Sequence, residues 1–268
     1  MIVTGILSGA AICKKLCAVQ NLNFYDFIII SAVAGAFGFA GAKIFFLFDY
    51  YSPALFFKSL GYMLFHPKES GLISGGFVFY GGLIGGIAGY FLGVKIAHTK
   101  VIAFLNTYAF AIPFVHAFGR IGCFCAGCCY GMKYEGPLAV HYNHPVSDVP
   151  AGQGCFPVQL LESLLLFAFS IVILLVIFKR AKDNFSKSYV YSSCPLFLYY
   201  ILYYSIVRFL LEFLRGDEIR GQIKICSSLT LSISQIVSLI LFAGALIIIV
   251  LIKTRKNDKV EITEIQND

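Results

Sequence analysis

Three short stretches of this 268-residue chain carry side chains whose types and spacing could do chemistry. The first is Arg208-Phe-Leu-Leu-Glu212-Phe-Leu-Arg215, with charges at i, i+4 and i+7. Together with Tyr200 and Tyr204 in the preceding turns, they form one polar stripe if the segment is a helix. The surroundings are apolar, and a charge at membrane depth costs about 2.5–3.5 kcal/mol on insertion scales. An Arg208–Glu212 pair that only fixes helix packing is the plainer explanation. Three charges in two turns exceed what packing requires, and arginine grips a phosphate with two donors at once. An anionic lipid headgroup is the ligand this pattern suggests.

The second stretch is His116-Ala-Phe-Gly-Arg120-Ile-Gly-Cys123-Phe-Cys125-Ala-Gly-Cys128-Cys129-Tyr-Gly131. His116 and Arg120 share a helix face, His116 in a supporting role, and a glycine-rich segment is expected to begin at Arg120. Gly119, Gly122, Gly127 and Gly131 let the backbone bend or approach a ligand closely. The spacing C-x-C-x2-C-C, with Cys155 further on, leaves three explanations open. Thiolates suit zinc, although separated C-x2-C pairs are absent. A disulfide suits an oxidising compartment. Small, semi-polar side chains that simply bury well are the third. Cys13, Cys17, Cys194 and Cys226 are scattered and read as structural.

The third stretch, Ser74-Gly-Gly-Phe-Val-Phe-Tyr80-Gly-Gly-Leu-Ile-Gly-Gly86, holds six glycines in 13 residues. Close helix packing accounts for Gly82 and Gly86, but it accounts less well for Tyr80. Gln159 and Glu162 follow Pro157 at the start of another apolar run. A first helical turn favours an acidic side chain anyway, so these two admit a purely structural reading.

The elements that position these residues follow from composition. The chain is 59% hydrophobic and 13% charged, with a mean hydropathy of +0.81. A soluble domain carries about a quarter charged residues, so a water-facing globule, a disordered chain and a small disulfide scaffold are excluded. Helical spans of about 20 apolar residues are expected at Phe27–Leu47, Phe77–Val94, Val101–Phe118, Leu160–Phe178, Leu196–Leu214 and Leu231–Ile252. Met1–Ile12 is apolar but only 12 residues long, and reads as a re-entrant half-helix or a shortened first span.

Twelve of the 21 basic residues fall on alternate connections. These are Lys14 and Lys15; Lys95 and Lys100; Lys179, Arg180, Lys182 and Lys187; and Lys253, Arg255, Lys256 and Lys259. The positive-inside rule makes those connections and the C-terminus cytoplasmic. The loops Asp49–Gly76, Gly119–Gln159 and Gly216–Thr230, the last with Arg220 and Lys224, are then extracytoplasmic. The net charge of +7 is thus a topology signal rather than a nucleic-acid surface. Residues 1–252 read as one transmembrane domain and 253–268 as a polar cytoplasmic tail, with Asn257–Asp268 expected to be disordered.

Five ordered blocks resemble the prolipoprotein diacylglyceryl transferases. Tyr80-Gly-Gly-Leu-Ile-Gly is similar to that family's "HGGLIG", and Gly119–Gly131 to "GRIGNFxNGExxG". Pro157-Val-Gln159-Leu-Leu-Glu162 resembles "HPxQLYE", Arg208–Arg215 resembles "RFxxEFxR", and Ser234-Gln235 resembles a "GQ" opening the last helix. The resemblance implies an all-α integral membrane protein of the bacterial plasma membrane. It implies seven transmembrane segments, the first one short, with the N-terminus outside and the C-terminus cytoplasmic.

The implied reaction moves diacylglycerol from phosphatidylglycerol to the lipobox cysteine thiol of preprolipoproteins. It yields a thioether and glycerol phosphate, with no metal or other cofactor. Arg208, Glu212 and Tyr80 match catalytic positions. Arg120, Gly131, Arg215, Gln159 and Glu162 match positions that bind phosphatidylglycerol. The partners are that lipid, the preprolipoprotein and the bilayer, with no nucleic acid.

The departures are specific. The family's two histidines are Tyr80 and Phe156 here, and a phenol is a far weaker base than imidazole at neutral pH. The family's Asn and Glu become Cys123 and Cys128, which with His116 are the candidate replacement residues. A non-catalytic, thiol-redox or metal-binding membrane protein built on the same fold is the alternative.

Overall fold

The computed structural model describes residues 1–66, 78–142, 152–182, 195–216, 222–226 and 229–265. Among the described residues seven α-helices are formed: α1 (Ile2–Val19), α2 (Phe24–Phe65), α3 (Phe79–Ile96), α4 (Leu105–Ala126), α5 (Val158–Lys182), α6 (Leu196–Leu211) and α7 (Ile233–Ile265). Two short antiparallel ladders accompany them: β1 (Val140–His141) with β2 (Gly154–Cys155), and β3 (Gln222–Cys226) with β4 (Leu229–Ser232). The starting glycines of the Tyr80 stretch, the residues from Asn143 to Ala151, and Lys187, Cys194 and Arg220 lie outside the described residues.

Among the described residues, six helical stretches are long and apolar enough to cross a membrane: Ile2–Val19, Phe24–Phe48, Leu105–Ala126, Val158–Lys182, Leu196–Leu214 and Ile233–Thr254. Tyr80–Ile96 is apolar but shorter. The burial pattern inverts that of a water-soluble protein. Leu164 and Ile240 are 66% and 65% exposed, whereas Glu162 is 0% exposed. Apolar side chains outward and ionised ones inward is the arrangement lipid demands.

Several expected boundaries move. The first apolar run does not stop at Ile12; α1 continues through Lys14 and Lys15 to Val19. The segment expected to form an extracytoplasmic loop from Asp49 is helical as far as Phe65, as part of α2. The last helix persists to Ile265, so the expected disordered tail is largely helical. Its sequence, with no proline or glycine after Gly244, contains nothing to stop it.

The chain divides into two units, Met1–Gln20 with Phe104–Asp268, and Asn21–Ala103. In the second of these, α2 starts at Asn23, whose side chain accepts a 3.0 Å hydrogen bond from the Tyr25 amide. α2 and α3 meet backbone to backbone. A Cβ on Gly81 or Gly41 would strike the other's carbonyl, one on Gly85 would strike Phe37 O, and one on Gly93 would lie 2.8 Å from Ile30 Cα. The face in contact is therefore Gly81, Gly85, Gly89 and Gly93, at helical spacing. Gly82 and Gly86, the glycines expected to pack, sit more loosely, with nearest approaches of 3.3 and 3.9 Å.

In the other unit, α1 lies on α4, with Gly5 against Phe118 and Gly9 against Phe114. Gln20 Nε2 ties the end of α1 to Thr107 Oγ1 at 3.0 Å. α4 meets α5 where Ser163 Oγ donates to Ala117 O at 3.0 Å. α5 meets α6 where Tyr203 OH donates to Leu165 O at 2.9 Å. Ala117, Leu166 and Tyr200, flanked by Phe167, Phe169 and Phe197, fill the space between these helices.

Candidate functional site

The site begins at Glu162, one turn into α5 and completely buried. Its Oε1 lies 3.0 Å from Arg120 Nη2 on α4 and accepts a 3.2 Å hydrogen bond from Tyr204 OH on α6. His116 Nε2 stands 3.8 Å from the same oxygen, and its ring meets the Tyr204 ring edge-on at 5.3 Å. Three helices thus converge on one carboxylate. A buried carboxylate needs such partners, since an unpaired charge in a medium of low polarity is prohibitively costly. Glu162 is more than a helix-start acid.

A second pair lies on α6. Arg208 Nη2 is 2.7 Å from Glu212 Oε2, one turn on, and donates to Ser234 Oγ on α7 at 3.1 Å. Arg208 is also within electrostatic reach of Glu162, Tyr204 and Arg215, so the two arginine–glutamate pairs belong to one polar cluster. Within it, several buried polar atoms have no hydrogen-bond partner among the described residues. The donors are Arg120 Nε and Arg208 Nη1; the acceptors are Glu162 Oε2 and Gln159 Oε1. Buried polar atoms in native proteins are nearly always satisfied by protein, water or ligand, so this set marks where water or a bound molecule would complete the hydrogen bonding.

Arg215 does not continue the α6 stripe. The helix ends at Leu211, Glu212–Leu214 form a 3₁₀ turn, and Arg215 is extended. The changed residue period rotates Arg215 off the face of Arg208 and Glu212. It pairs instead with Gly131 as an isolated bridge, flanked by Met132 N to Leu214 O at 2.8 Å and Gly216 N to Tyr130 O at 3.2 Å. Its guanidinium hydrogen-bonds the Cys129 sulfur. On the other side of the Gly131 strand, Phe156 N bonds Met132 O at 3.0 Å. A Cβ on Gly131 would collide with Phe156 O and Leu214 O. Glycine is needed there for three backbones to meet.

Arg120 also sits differently from expectation. It lies within α4, whose helix continues through Gly122 to Ala126, rather than where the helix ends. Gly119 has open space around it, so it neither bends the chain nor admits a close contact. The bend comes at Gly127, whose φ of 66° closes the helix while Cys128 N bonds Cys123 O at 3.1 Å. Beyond it, Gln159 Nε2 donates to Cys128 O at 2.8 Å and to Tyr142 OH at 3.3 Å, tying the cysteine turn to α5.

The Sγ atoms of Cys123, Cys128 and Cys129 all lie within 4.8 Å of one another. The hydrogen bond from Cys123, followed by the Arg215 guanidinium, pulls the Cys129 thiol well below the ordinary thiol range. Burial raises Cys128 and Cys155 instead. Cys125 is exposed, Cys155 is buried in β2 apart from this trio, and Cys13, Cys17, Cys123, Cys125, Cys128, Cys129 and Cys155 are free thiols. Tyr80 opens α3 in the Asn21–Ala103 unit.

Residues that spacing alone did not single out are Ser234 and Tyr142 at the site and, separately, Lys43 in the Asn21–Ala103 unit. Ser234 was visible only as part of Ser234-Gln235, whose glutamine proves to cap α7. Ser232 N donates to Gln235 Oε1 at 3.0 Å and Gln235 N to Ser232 Oγ at 3.1 Å, the reciprocal box that an S-x-x-Q run predicts. Lys43 is a buried cation inside the apolar α2, its Nζ 5.2 Å from the Phe46 ring centre. A charge within such a run was signal enough to find it.

Comparison with known proteins adds to this geometry. Residues 1–251 match a family model described as prolipoprotein diacylglyceryl transferase. A protein of Clostridium tetani named phosphatidylglycerol–prolipoprotein diacylglyceryl transferase is 29% identical over 241 residues, covering 89% of this chain and 86% of the relative. One of Clostridium perfringens with the same name and the number 2 is 27% identical over 256 residues, covering 92% and 87%.

Proposed function

The chain belongs to the prolipoprotein diacylglyceryl transferase family, and from that premise we propose that it transfers diacylglycerol from phosphatidylglycerol to the lipobox cysteine thiol of a preprolipoprotein. The observation that carries the reading is the set of buried, unpartnered groups around Glu162. Arg120 Nε and Arg208 Nη1 offer donors to a phosphodiester, while Glu162 Oε2 and Gln159 Oε1 offer acceptors to hydroxyls. A glycerol-phosphate headgroup supplies both.

In the reaction, the acceptor sulfur forms a bond to the diacylglyceryl carbon that carries the phosphate ester. The C–O bond breaks, glycerol phosphate leaves with the electron pair, and the thiol proton passes to solvent. The charge that develops on the departing phosphate is what the two guanidiniums stabilise. Donors held in place before the reaction need no reorganisation as that charge grows. Glu212 and Ser234 hold Arg208; Glu162 holds Arg120. Arg215 and Gly131 act together, the glycine allowing the close backbone approach from which Arg215 projects. Tyr80, at the family's histidine position, is assigned on that resemblance alone as a hydrogen-bond donor rather than a base. No cofactor enters this scheme.

The topology that accompanies it has seven spans in the plasma membrane, the outer end of the bundle holding the lipid site and the C-terminus in the cytoplasm. The alternating basic connections support that orientation. Residues 1–252 form the transmembrane transferase domain and 253–268 its cytoplasmic extension. Complementation tests the reading. A bacterium depleted of its own transferase should grow and lipidate its lipoproteins with this chain, but not with Arg120→Ala. Failure of the well-expressed wild-type chain to restore lipidation refutes it.

A further inference from the structure

The transfer scheme above assigns no step to the cysteine turn at the end of α4. Cys123 lies in the last turns of the helix, Gly127 reverses the chain at φ 66°, and Cys129 follows at φ 57°. Gly127 takes the left-handed conformation freely, but a residue with a Cβ bears a cost of about 1–2 kcal/mol there. That cost is spent at Cys129, and the result is convergence of three sulfurs that sequence spacing had left on separate positions. The fold holds the strained residue from both sides. Gln159 ties the Cys128 carbonyl to α5, and Arg215 holds the Cys129 sulfur.

The distances suit a metal. Three sulfurs bonded to one ion at about 2.3 Å each stand about 4 Å apart, and the Sγ atoms here already lie within 4.8 Å of one another. Among the described residues no imidazole or carboxylate joins them in that cluster, so the donor set is sulfur alone. Such a set selects a soft, closed-shell cation over magnesium, calcium or manganese. Charge also favours it. Three thiolates around a monovalent or divalent ion leave net negative charge, and Arg120 and Arg215 lie within electrostatic reach of Cys129 to offset it.

We propose that Cys123, Cys128 and Cys129 bind one thiophilic d10 metal ion, of the Cu(I) or Zn(II) class, through three sulfurs at the outer end of α4. Each thiol loses its proton to solvent as its sulfur–metal bond forms. The site is a property of this chain's own cysteine turn and does not depend on the transfer reaction.

The test uses the full-length protein, purified in detergent under reducing conditions and freed of metal by chelation. Cu(I) and Zn(II) are titrated separately against a competing chromophoric chelator. Either ion should bind at one per chain. Binding should weaken at least tenfold in Cys129→Ser and in the Cys123→Ser/Cys128→Ser double variant, and stay unchanged in Cys125→Ser. Bound metal should also protect Cys123, Cys128 and Cys129, but not Cys125, from maleimide labelling in the wild-type chain, which requires no variant to fold. Absence of stoichiometric binding by both ions overturns the proposal. So does binding that survives Cys129→Ser, or metal that leaves the three thiols as reactive as before. Lipid transfer enters none of these readouts, so their outcome is separate from that of the transferase reading.

Discussion

Glu162 Oε1 lies 3.0 Å from Arg120 Nη2, fastening α5 to α4 where the carboxylate is fully shielded from solvent. Tyr204 shares the same oxygen, so one carboxylate sets the position of a guanidinium contributed by another helix. Glu162→Ala leaves Arg120 as an uncompensated buried charge, a loss of about 3–5 kcal/mol when one partner of such a pair is removed. It should lower the thermal midpoint of the detergent-purified protein and abolish transfer. Glu162→Gln keeps an acceptor oxygen without the charge. It still leaves Arg120 without a counter-charge, so it should lower the thermal midpoint less than Glu162→Ala and raise KM for phosphatidylglycerol about tenfold, as steady-state kinetics would reveal. A Glu162→Gln protein with unaltered KM removes Glu162 from the account.

Arg208 is held by Glu212 at 2.7 Å and Ser234 at 3.1 Å. A hydrogen bond to a charged group contributes about 1.5–3 kcal/mol, so Ser234→Ala should reduce kcat/KM by at least about tenfold with little change in thermal midpoint. Arg208→Lys retains the charge but loses the fork of donors and should be more severe. The ordering is the check. Equal rates for wild type and Arg208→Lys would show that geometry at this position is unimportant.

The strand at Gly131 predicts a structural lesion of a different kind. Both Phe156 O and Leu214 O occupy the space a Cβ would need, and neither is the end of a flexible side chain. Gly131→Ala should destabilise by about 1–3 kcal/mol and displace Arg215. Comparative thermal unfolding of the two proteins measures it. The neighbouring Gly119, with nothing within 4 Å, is the control, and Gly119→Ala should be nearly silent.

The sequence's ionic residues announced the site more clearly than its helices announced themselves. Arg120, Glu162, Arg208 and Glu212 could be chosen because charge is rare in an apolar chain, and the fold brings these four into one cluster. What spacing could not supply was the partner of each. The i, i+4, i+7 pattern placed Arg215 with Glu212, but a 3₁₀ turn carried it to Cys129. The cysteine cluster was hidden for a similar reason. Gly127 and Cys129 both adopt left-handed backbone conformations, and a local reversal of that kind brings together residues that linear spacing keeps apart. Helix ends were the least legible: α1 and α7 run past their apolar segments because nothing in the sequence stops them, and α2 does so in spite of Pro53.

Tyr80 is the proposed counterpart of a family histidine. If the phenol acts as a donor, Tyr80→Phe should lower kcat at least tenfold and leave KM for the lipid nearly unchanged. Tyr80→His, the family's own residue, should retain activity. A kcat for Tyr80→Phe equal to that of wild type excludes the hydroxyl from the reaction.

The central claim is that Arg120 and Arg208 hold the phosphate of phosphatidylglycerol while its diacylglyceryl group passes to a cysteine thiol. The most direct measurement incubates the purified protein with radiolabelled phosphatidylglycerol and a lipobox peptide, and follows thioether-linked label on the peptide by mass spectrometry and counting. The wild-type chain should form that product. Arg120→Ala should form it on the order of a hundredfold more slowly, the scale seen when one preorganised donor to developing charge is removed. No product from the wild-type chain, or equal rates for wild type and Arg120→Ala, contradicts the claim.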